Sequence, residues 1–548
     1  MTTMMEGVEQ SEVPASSETR VQAKEKEPEQ EPEKQTADAP DDGFIVEGQA
    51  KVAVTSEVFY NHVQEFNRDL SVAVITTWLK YDPKTAGEEP KDTNPAYKKS
   101  QEAKRGTILE ALAATGLRSL RYAKEIPGVG LITTNDMEAA AVEAIKSNRN
   151  LNGLTEQQLT VSKADANQVM YQALLQNKPY SIIDLDPFGT ASPFIDAAVQ
   201  AVASGGLLCI TCTDLAVLCG NHPEVAFEKY GGISVPGTPY CHETALRLVL
   251  HCVQTSASRY KRCIVPLLSM SIDFYVRIFV AVYNSPLQTK FAASNTMMLY
   301  SCTGCKSFET QSLCKTTTRP NGTKFGAAIG PTAPQKCSHC DSSFHVGGPM
   351  YAGRLHDTPF VKQLLDYIKK DGEKKFKTHV RMNGMLTVVS EELLDQPFYY
   401  EIPRLSSCLN TSTPPLNTVC SAILNAGYQV SISHALKASV KTNAPPRIIW
   451  DIMRSFVKQH PIKTPKEGSL AAKILATEPS VEINFARHPD AEPPSRKIKM
   501  VRFEVPAPNS GPKSRPGKRK APEQEQRNKK SKSAVEEPDA ETAADEQN

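Results

Sequence analysis

The stretch SIIDLDPFGTASPF (Ser181–Phe194) sets two carboxylates, a proline, an aromatic ring and a glycine at the end of a short apolar run. Side chains alternate along a strand, so Asp184 and Asp186 share one face and Leu185 takes the other, with Asp186 nearer the strand's end. Pro187 fixes its own φ and removes a backbone donor, which leaves a nearby carbonyl free to accept a hydrogen bond from an amine. Phe188 offers a flat face on which a planar ring can stack, and Gly189 lets the chain turn away. An ordinary Asp-Pro turn over a core phenylalanine would use the same letters, so the surroundings decide between the two.

Those surroundings alternate strand and helix signals from Thr107 to about Tyr283. TILEALA precedes GLRSLRYAKEI, LITTND precedes EAAAVEAIKSNRNLNG, LTVSKAD precedes ANQVMYQALLQN, and YSIIDLD precedes PFIDAAVQAVASG. GLLCITCTD and KRCIVPLLSMSIDFYVRIFVAVY supply further strands. This spacing predicts an α/β fold with a mostly parallel sheet covered by helices on both faces.

Ligands of such sheets bind beyond the carboxyl ends of the strands, and four strand ends line up there. EALAATG (Glu110–Gly116) ends on a glycine that lets backbone approach a ligand before a helix N-terminus. Asp136 of NDM follows Gly116 by twenty residues, where a carboxylate suits a ribose diol. Asp165 of KADA, with Ala166 beside it, is placed to meet a base edge. DLDPFG is the fourth end. Each acidic residue alone could be a strand end or an N-cap; the ordered set is the specific signal. A G-x-G-x-x-G fingerprint is missing, which counts against a nicotinamide cofactor with its pyrophosphate. A cofactor with ribose and adenine but no phosphate fits, and that describes S-adenosylmethionine.

A methyl donor beside Asp186 gives the opening stretch its chemistry. The exocyclic amine of a nucleobase is a poor nucleophile, because its lone pair is delocalised into the ring. Acceptors on its N–H groups hold it in line with the methyl and stabilise the positive charge that develops. A carboxylate then takes the proton, and an aromatic face holds the base once it leaves its stack.

CTGC (Cys302, Cys305) and CSHC (Cys337, Cys340) are two C-x-x-C pairs separated by 31 residues. Four thiolates suit tetrahedral Zn²⁺, with Cys314, His339 or His345 as possible substitutes. Four protein ligands leave no open position, so the metal's expected role is structural. Buried cysteines without metal are the alternative. Residues 357–460 are mostly helical, and helix, helix, strand and basic loop in succession suggest a winged-helix-like unit. His434–Lys441, Arg447 and the run from Arg496 to Lys532 supply positive charge for phosphates.

The chain of 548 residues is too long for one core. Its net charge of +2 hides an uneven distribution. Residues 1–42 hold 12 acidic and 4 basic side chains, 493–533 hold 13 basic and 3 acidic, and 534–548 hold 6 acidic and none basic. These ends read as solvated, disordered tails, and residues 81–105 read as a polar surface insertion. Thirteen scattered cysteines and no secretory apolar segment fit a reducing compartment. No apolar run reaches membrane length. Lys518–Lys520 and Lys529–Lys532 read as a nuclear address or a nucleic-acid tether, with mitochondrion or cytoplasm left open.

EALAATGLRSLRYAKEI, NDM, DLDPFGT, TDLAVLCGNHPE and CHETALRLVL together resemble the tRNA (guanine-26) N2,N2-dimethyltransferases, as do VFYNHVQEFNRDLSV and HALKASVKTNAPP. The resemblance runs in order from about Gly43 to Pro446. It implies a class I, Rossmann-like S-adenosylmethionine methyltransferase domain over 43–285. An α+β C-terminal RNA-binding domain would cover 286–492, with a zinc ribbon-like segment at 296–350. Carried over, Asp186 is the catalytic carboxylate, with Pro187 beside it. Phe188 and Phe59 are the rings expected beside the guanine. Arg68, Asp136 and Asp165 are the expected cofactor contacts; Gly116 and Ala166 join them as candidates from the strand-end reading, as does Glu110, which stands where Asp is expected in some relatives. Arg68 could equally pair with the adjoining Asp69. The implied activity is methyl transfer from S-adenosylmethionine to N2 of guanosine 26 of tRNA, twice. A non-catalytic RNA-binding scaffold, or action on another nucleic acid, are the alternatives.

Overall fold

The computed structural model describes residues 43–53, 60–81, 106–498 and 500–503. Phe59, the 82–105 part of the insertion and both lysine clusters lie outside them.

The alternating segments form one seven-stranded sheet. Its strands are β1 (Ile108–Glu110), β2 (Ile132–Asp136), β3 (Leu159–Lys163), β4 (Tyr180–Leu185), β5 (Val202–Cys212), β6 (Arg262–Ile272) and β7 (Tyr275–Asn284). Counted this way, the order across the sheet is 3-2-1-4-5-7-6. The first five strands pair in parallel, and β7 runs antiparallel to both β5 and β6. That reversal follows from connection length. Asp273 and Phe274 alone join β6 to β7, a turn far too short for a crossover. The strand order changes direction beside β1, so the strand ends of β1 and β4 flank the cleft where such sheets bind ligands.

The faces obey the period of two. Ile108 and Ile182 join one buried cluster, while Leu109, Ile183 and Leu185 join the other. Asp184 and Asp186 therefore look toward the first face, as the alternation requires. That face is covered by α1 (Glu65–Lys80) and α2 (Leu117–Glu125), with α3 (Ala139–Leu151) beyond. The second face carries α4 (Ala166–Leu175), α5 (Ser192–Ala201) and α6 (Cys241–Arg259).

Of the residues of α1, only its last two, Leu79 and Lys80, are not buried. Such a helix needs cover on both sides, and the C-terminal half supplies it. α7 (Thr358–Lys375) and α8 (His379–Glu391) pack on α1 through Phe360, Leu364, Ile368, Met382 and Met385, inside the same apolar cluster. The cores thus cross residue 285, where the sequence divides the two domains.

After β7 come β8 (Thr296–Cys302), β9 (Phe308–Ser312) and β10 (Phe344–Tyr351), an antiparallel sheet with β8 central. Further on, β11 (Tyr400–Glu401), α9 (Ile402–Leu409), α10 (Leu416–Asn425), β12 (Val430–Ser431) and β13 (Ser439–Thr442) make a strand, two helices and a hairpin, with β13 between the other two strands. α11 (Pro446–Gln459) closes this unit around the fully buried Trp450. The sequence starts a solvated tail at 493. Instead, Ser495 is buried with its hydroxyl on Glu391, and Val501 lies against Gly384, where a Cβ would stand 1.9 Å from the Val501 carbonyl.

Candidate active site and thiolate centre

Beneath the end of β4 lies a buried ionic network. Asp184 accepts from the Tyr122 hydroxyl at 2.6 Å and from both Arg277 terminal nitrogens at 2.9 and 2.7 Å. Burial pushes its carboxyl up, but Arg277 and then Arg118 overrule that and hold it below the usual range. Arg118, on the first turn of α2, pairs with Asp186 and leans on Ser71 at 3.1 Å. Burial opposes its charge, yet Asp186 and Asp184 keep it above the ordinary guanidinium value. Ser71 on α1 also accepts from Arg277 at 2.8 Å, so one hydroxyl ties both arginines together.

The two aspartates therefore differ. Asp184 is sealed, whereas the Asp186 side chain keeps 21% of its surface in solvent. The next residues turn outward. Pro187 is buried, Phe188 is 83% exposed, and Gly189 takes φ +81°. This turn is clamped from β5's end: the Gly189 N–H donates to Thr213 Oγ1 at 2.8 Å, and the Thr213 N–H returns to the Gly189 carbonyl at 2.8 Å. Thr190 donates to Tyr230, which donates to Asp214, each at 2.7 Å. Phe188 is thus a projecting ring on a fixed backbone, not part of the core.

The other strand ends are sorted by what already holds them. Asp136 accepts from the Ala114 N–H at 2.8 Å and the Glu138 N–H at 3.0 Å, one on each oxygen. Ala114 has φ +48°, so Asp136 pins a left-handed turn that a glycine would take more readily. A carboxylate has about four lone-pair sites, so each oxygen keeps capacity for one hydroxyl of a diol. Gly116, with φ +73°, opens α2. Asp165 is the N-cap of α4, accepting from the Asn167 and Gln168 amides at 2.9 and 3.1 Å, and Ala166 is buried behind it. The donor set at this edge fits a ribose-bearing cofactor.

Two residues sit differently from the sequence reading. Glu110 turns under α2, where it accepts from the Ser119 amide at 3.0 Å and from the Ser119 hydroxyl. Burial lifts its carboxyl to about 8, so it is protonated at neutral pH. Arg68 spends its guanidinium on Glu47 of the N-terminal hairpin, at 2.6 and 2.5 Å, and on the Asn61 carbonyl. Its partner is Glu47 rather than the adjoining Asp69, which pairs with Arg121 at 2.7 Å and caps Thr378. His434 and Lys441, expected to face phosphates, are buried instead. His434 meets Glu392 at 2.6 Å, and Lys441 meets Glu243 at 2.9 Å. Arg118, Tyr122 and Arg277 are absent from the sequence reading. A lone arginine inside the apolar run FYVRIFVAVY is the signal that could have exposed Arg277, since it must find a buried carboxylate.

Cys302, Cys305, Cys337 and Cys340 converge. Cys302 and Cys340 sulfurs lie 3.3 Å apart, and Cys305 and Cys337 sulfurs 3.6 Å apart. Tetrahedral zinc with ~2.3 Å bonds sets its sulfurs roughly 3.8 Å apart, so the four fit such an ion. Both knuckles share one backbone design. The residue after the second cysteine, Lys306 or Asp341, has φ near +60° and returns its N–H to the first cysteine's carbonyl. Cys314, His339 and His345 are outside this group.

The family model of N2,N2-dimethylguanosine tRNA methyltransferases matches residues 40–454. The chain is 42% identical over 519 residues to the tRNA (guanine(26)-N(2))-dimethyltransferase of Mus musculus, covering 87% of this chain and 78% of that one. It is 42% identical to the Schizosaccharomyces pombe protein of the same name, over 87% and 93% of the two chains. A Saccharomyces cerevisiae relative, 37% identical over 87% and 92%, is named as mitochondrial. The solved complex of Trm1 from Pyrococcus horikoshii with S-adenosyl-L-methionine shares the fold, with a TM-score of 0.61 at 24% identity over 75% of this chain and 99% of that one.

Proposed function

Because the chain belongs to the N2,N2-dimethylguanosine tRNA methyltransferase family, we propose that it methylates N2 of guanosine 26 of tRNA from S-adenosylmethionine, first to the monomethyl and then to the dimethyl base. One observation carries the residue assignment. Among the carboxylates of the buried network, Asp186 reaches solvent beside an exposed ring, Phe188.

S-adenosylmethionine supplies an electrophilic methyl group. Asp136, with the Gly116 turn, holds the ribose side, and Asp165 and Ala166 border the base side. Phe188 stacks the extruded guanine. Asp186, fixed by Arg118, accepts an N–H of the amine and turns the nitrogen's lone pair toward the methyl. The nitrogen becomes strongly acidic once alkylated, so a carboxylate suffices to take its proton. For the second transfer the monomethyl amine turns its remaining N–H to the same oxygen. The four thiols hold structural zinc away from this edge.

Purified protein, labelled S-adenosylmethionine and unmodified tRNA test this. Nucleoside analysis should find N2-methyl- and N2,N2-dimethylguanosine. Asp186→Asn should lose about 10²- to 10⁴-fold in rate while still binding S-adenosylmethionine by calorimetry. Undiminished transfer by Asp186→Ala would sink the assignment.

A further inference from the structure

Past residue 493 the chain stays packed on the molecule and brings in two arginines, Arg496 and Arg502. Arg496 lies in the short helix Pro494–Lys497, whose Ser495 is anchored to Glu391, and Arg502 follows on the segment keyed against Gly384. Both are partly buried, and each has one terminal guanidinium nitrogen wholly out of solvent with no hydrogen-bond partner. Among the described residues, neither side chain makes an ion pair. Arg502 meets only the ring of Phe503, 5.3 Å from its centroid, and Lys437 covers that ring at 4.6 Å. A guanidinium carries five N–H donors, and burying it without an acceptor is costly.

The two cations also repel one another: burial and then Arg496 push Arg502 below the ordinary guanidinium value. Glu391 and Glu392 attract Arg502 in turn, but the hydrogen bonds of the acidic groups nearby go elsewhere. Glu391 holds Ser495, Glu392 holds His434, and Asp273 takes both of its contacts from Arg381 at 2.7 and 2.8 Å. Among the described residues, each arginine thus keeps a buried N–H group without an acceptor, and an anion would satisfy both.

The place of the pair fixes which anion. Arg381 donates to the Arg502 carbonyl at 3.3 Å and reaches Asp273, in the β6–β7 turn. β7 begins beside the end of β5, which lies next to β4 and Asp186. The arginines are therefore linked, through Arg381, to the same sheet edge that carries Asp186 and Phe188. From Arg496, Arg502 and Lys437 we infer that this C-terminal return is a binding site for a backbone phosphate of the RNA substrate, seated beside the catalytic edge. The inference rests on the tRNA activity proposed above and adds to it a named contact. A guanidinium suits a phosphate because its planar fork meets two oxygens at once.

Unpaired cations make an unusual signature: removing them should weaken RNA binding without weakening the fold. The test uses the full chain, Arg502→Met, and the double variant Arg496→Gln/Arg502→Met. It measures tRNA binding across a salt series, S-adenosylmethionine binding and thermal unfolding. The variants should unfold at the same or a higher temperature and bind S-adenosylmethionine as before. The double variant should bind tRNA about tenfold more weakly, with a salt slope smaller by about 1 for each arginine. KM for tRNA should rise while kcat at saturating tRNA holds, and Arg502→Lys should recover most of the affinity.

Wild-type affinity and slope in the double variant overturn the site, and methyl transfer then stands untouched. Lower unfolding temperature together with weaker S-adenosylmethionine binding overturns it too, since the arginines would then hold the fold. Deleting 534–548 checks a rival anion, the chain's own acidic run. Tighter tRNA binding after that deletion in wild type, with no arginine effect once it is gone, would assign the pair to that run. A wild-type chain that neither binds nor methylates tRNA removes the premise and the site together.

Discussion

At the residue scale, the pair Asp184 and Asp186 was legible as two carboxylates on one face, because strand periodicity alone fixes that. Their division of labour was not, since it depends on arginines that arrive from α2 and β7, 66 residues before and 93 after Asp184 in the chain. Glu110 carries the same lesson. Its place at a strand end was readable, but the period of two also turns it under α2, toward Ser119 rather than the cleft. This has a pH consequence. In the unfolded chain Glu110 loses its proton near 4.5, while in the fold it keeps it to about 8. The folded state therefore binds the extra proton, and its stability falls as pH rises through that window. Glu110→Gln keeps the neutral form permanently. Denaturant unfolding at pH 5, 6.5 and 8 should show the variant gaining on the wild type as pH rises; parallel curves would refute the protonated state.

At the element scale, each C-x-x-C pair was readable as a knuckle because four residues suffice to build one. The partner that locks the centre to the helical unit was not. Trp450 on α11 donates to Ser307 at 2.8 Å, and Ser307 lies 3.3 Å from the Cys305 sulfur. The thiolate centre and α11 thus share one joint. The chain has two tryptophans, so its fluorescence reports this joint directly. Metal analysis should find about one zinc per chain, and a strong chelator should red-shift tryptophan emission and lower the unfolding temperature. Emission unmoved by chelation, with all four thiols freely reactive from the start, would count against the metal. The same element-scale view explains the sheet. Parallel strands were predictable from helices between them, and the reversal at β7 from the absence of one.

At the scale of the whole molecule, the sequence invites a cut at 285, where strand–helix alternation ends. The structure does not offer one. Pattern reading follows contiguous chain, whereas α1 finds its cover some three hundred residues later: Asp69 accepts from the Thr378 amide and hydroxyl, and Lys377 reaches Glu65 at 3.0 Å. A chain of 43–285 should therefore expose the face that α7 and α8 cover. It should aggregate or be rapidly proteolysed, while 43–503 behaves as the intact protein. A soluble, cooperatively unfolding 43–285 fragment would contradict the shared core.

That same packing sets an order of events during synthesis. Thr378 emerges 309 residues after Asp69, which at ribosomal speeds is a wait of roughly 15 to 60 seconds. For that time the most buried helix of the methyltransferase half has one apolar side without its partner. The last described residues, Val501 and Phe503, come later still, and with His62, Phe66 and Arg381 they line a single hollow of about 390 Å³. The helix that holds Phe66 and the segment that holds Phe503 meet only once both have been synthesised, so a nascent chain stopped short of that segment has an incomplete catalytic half.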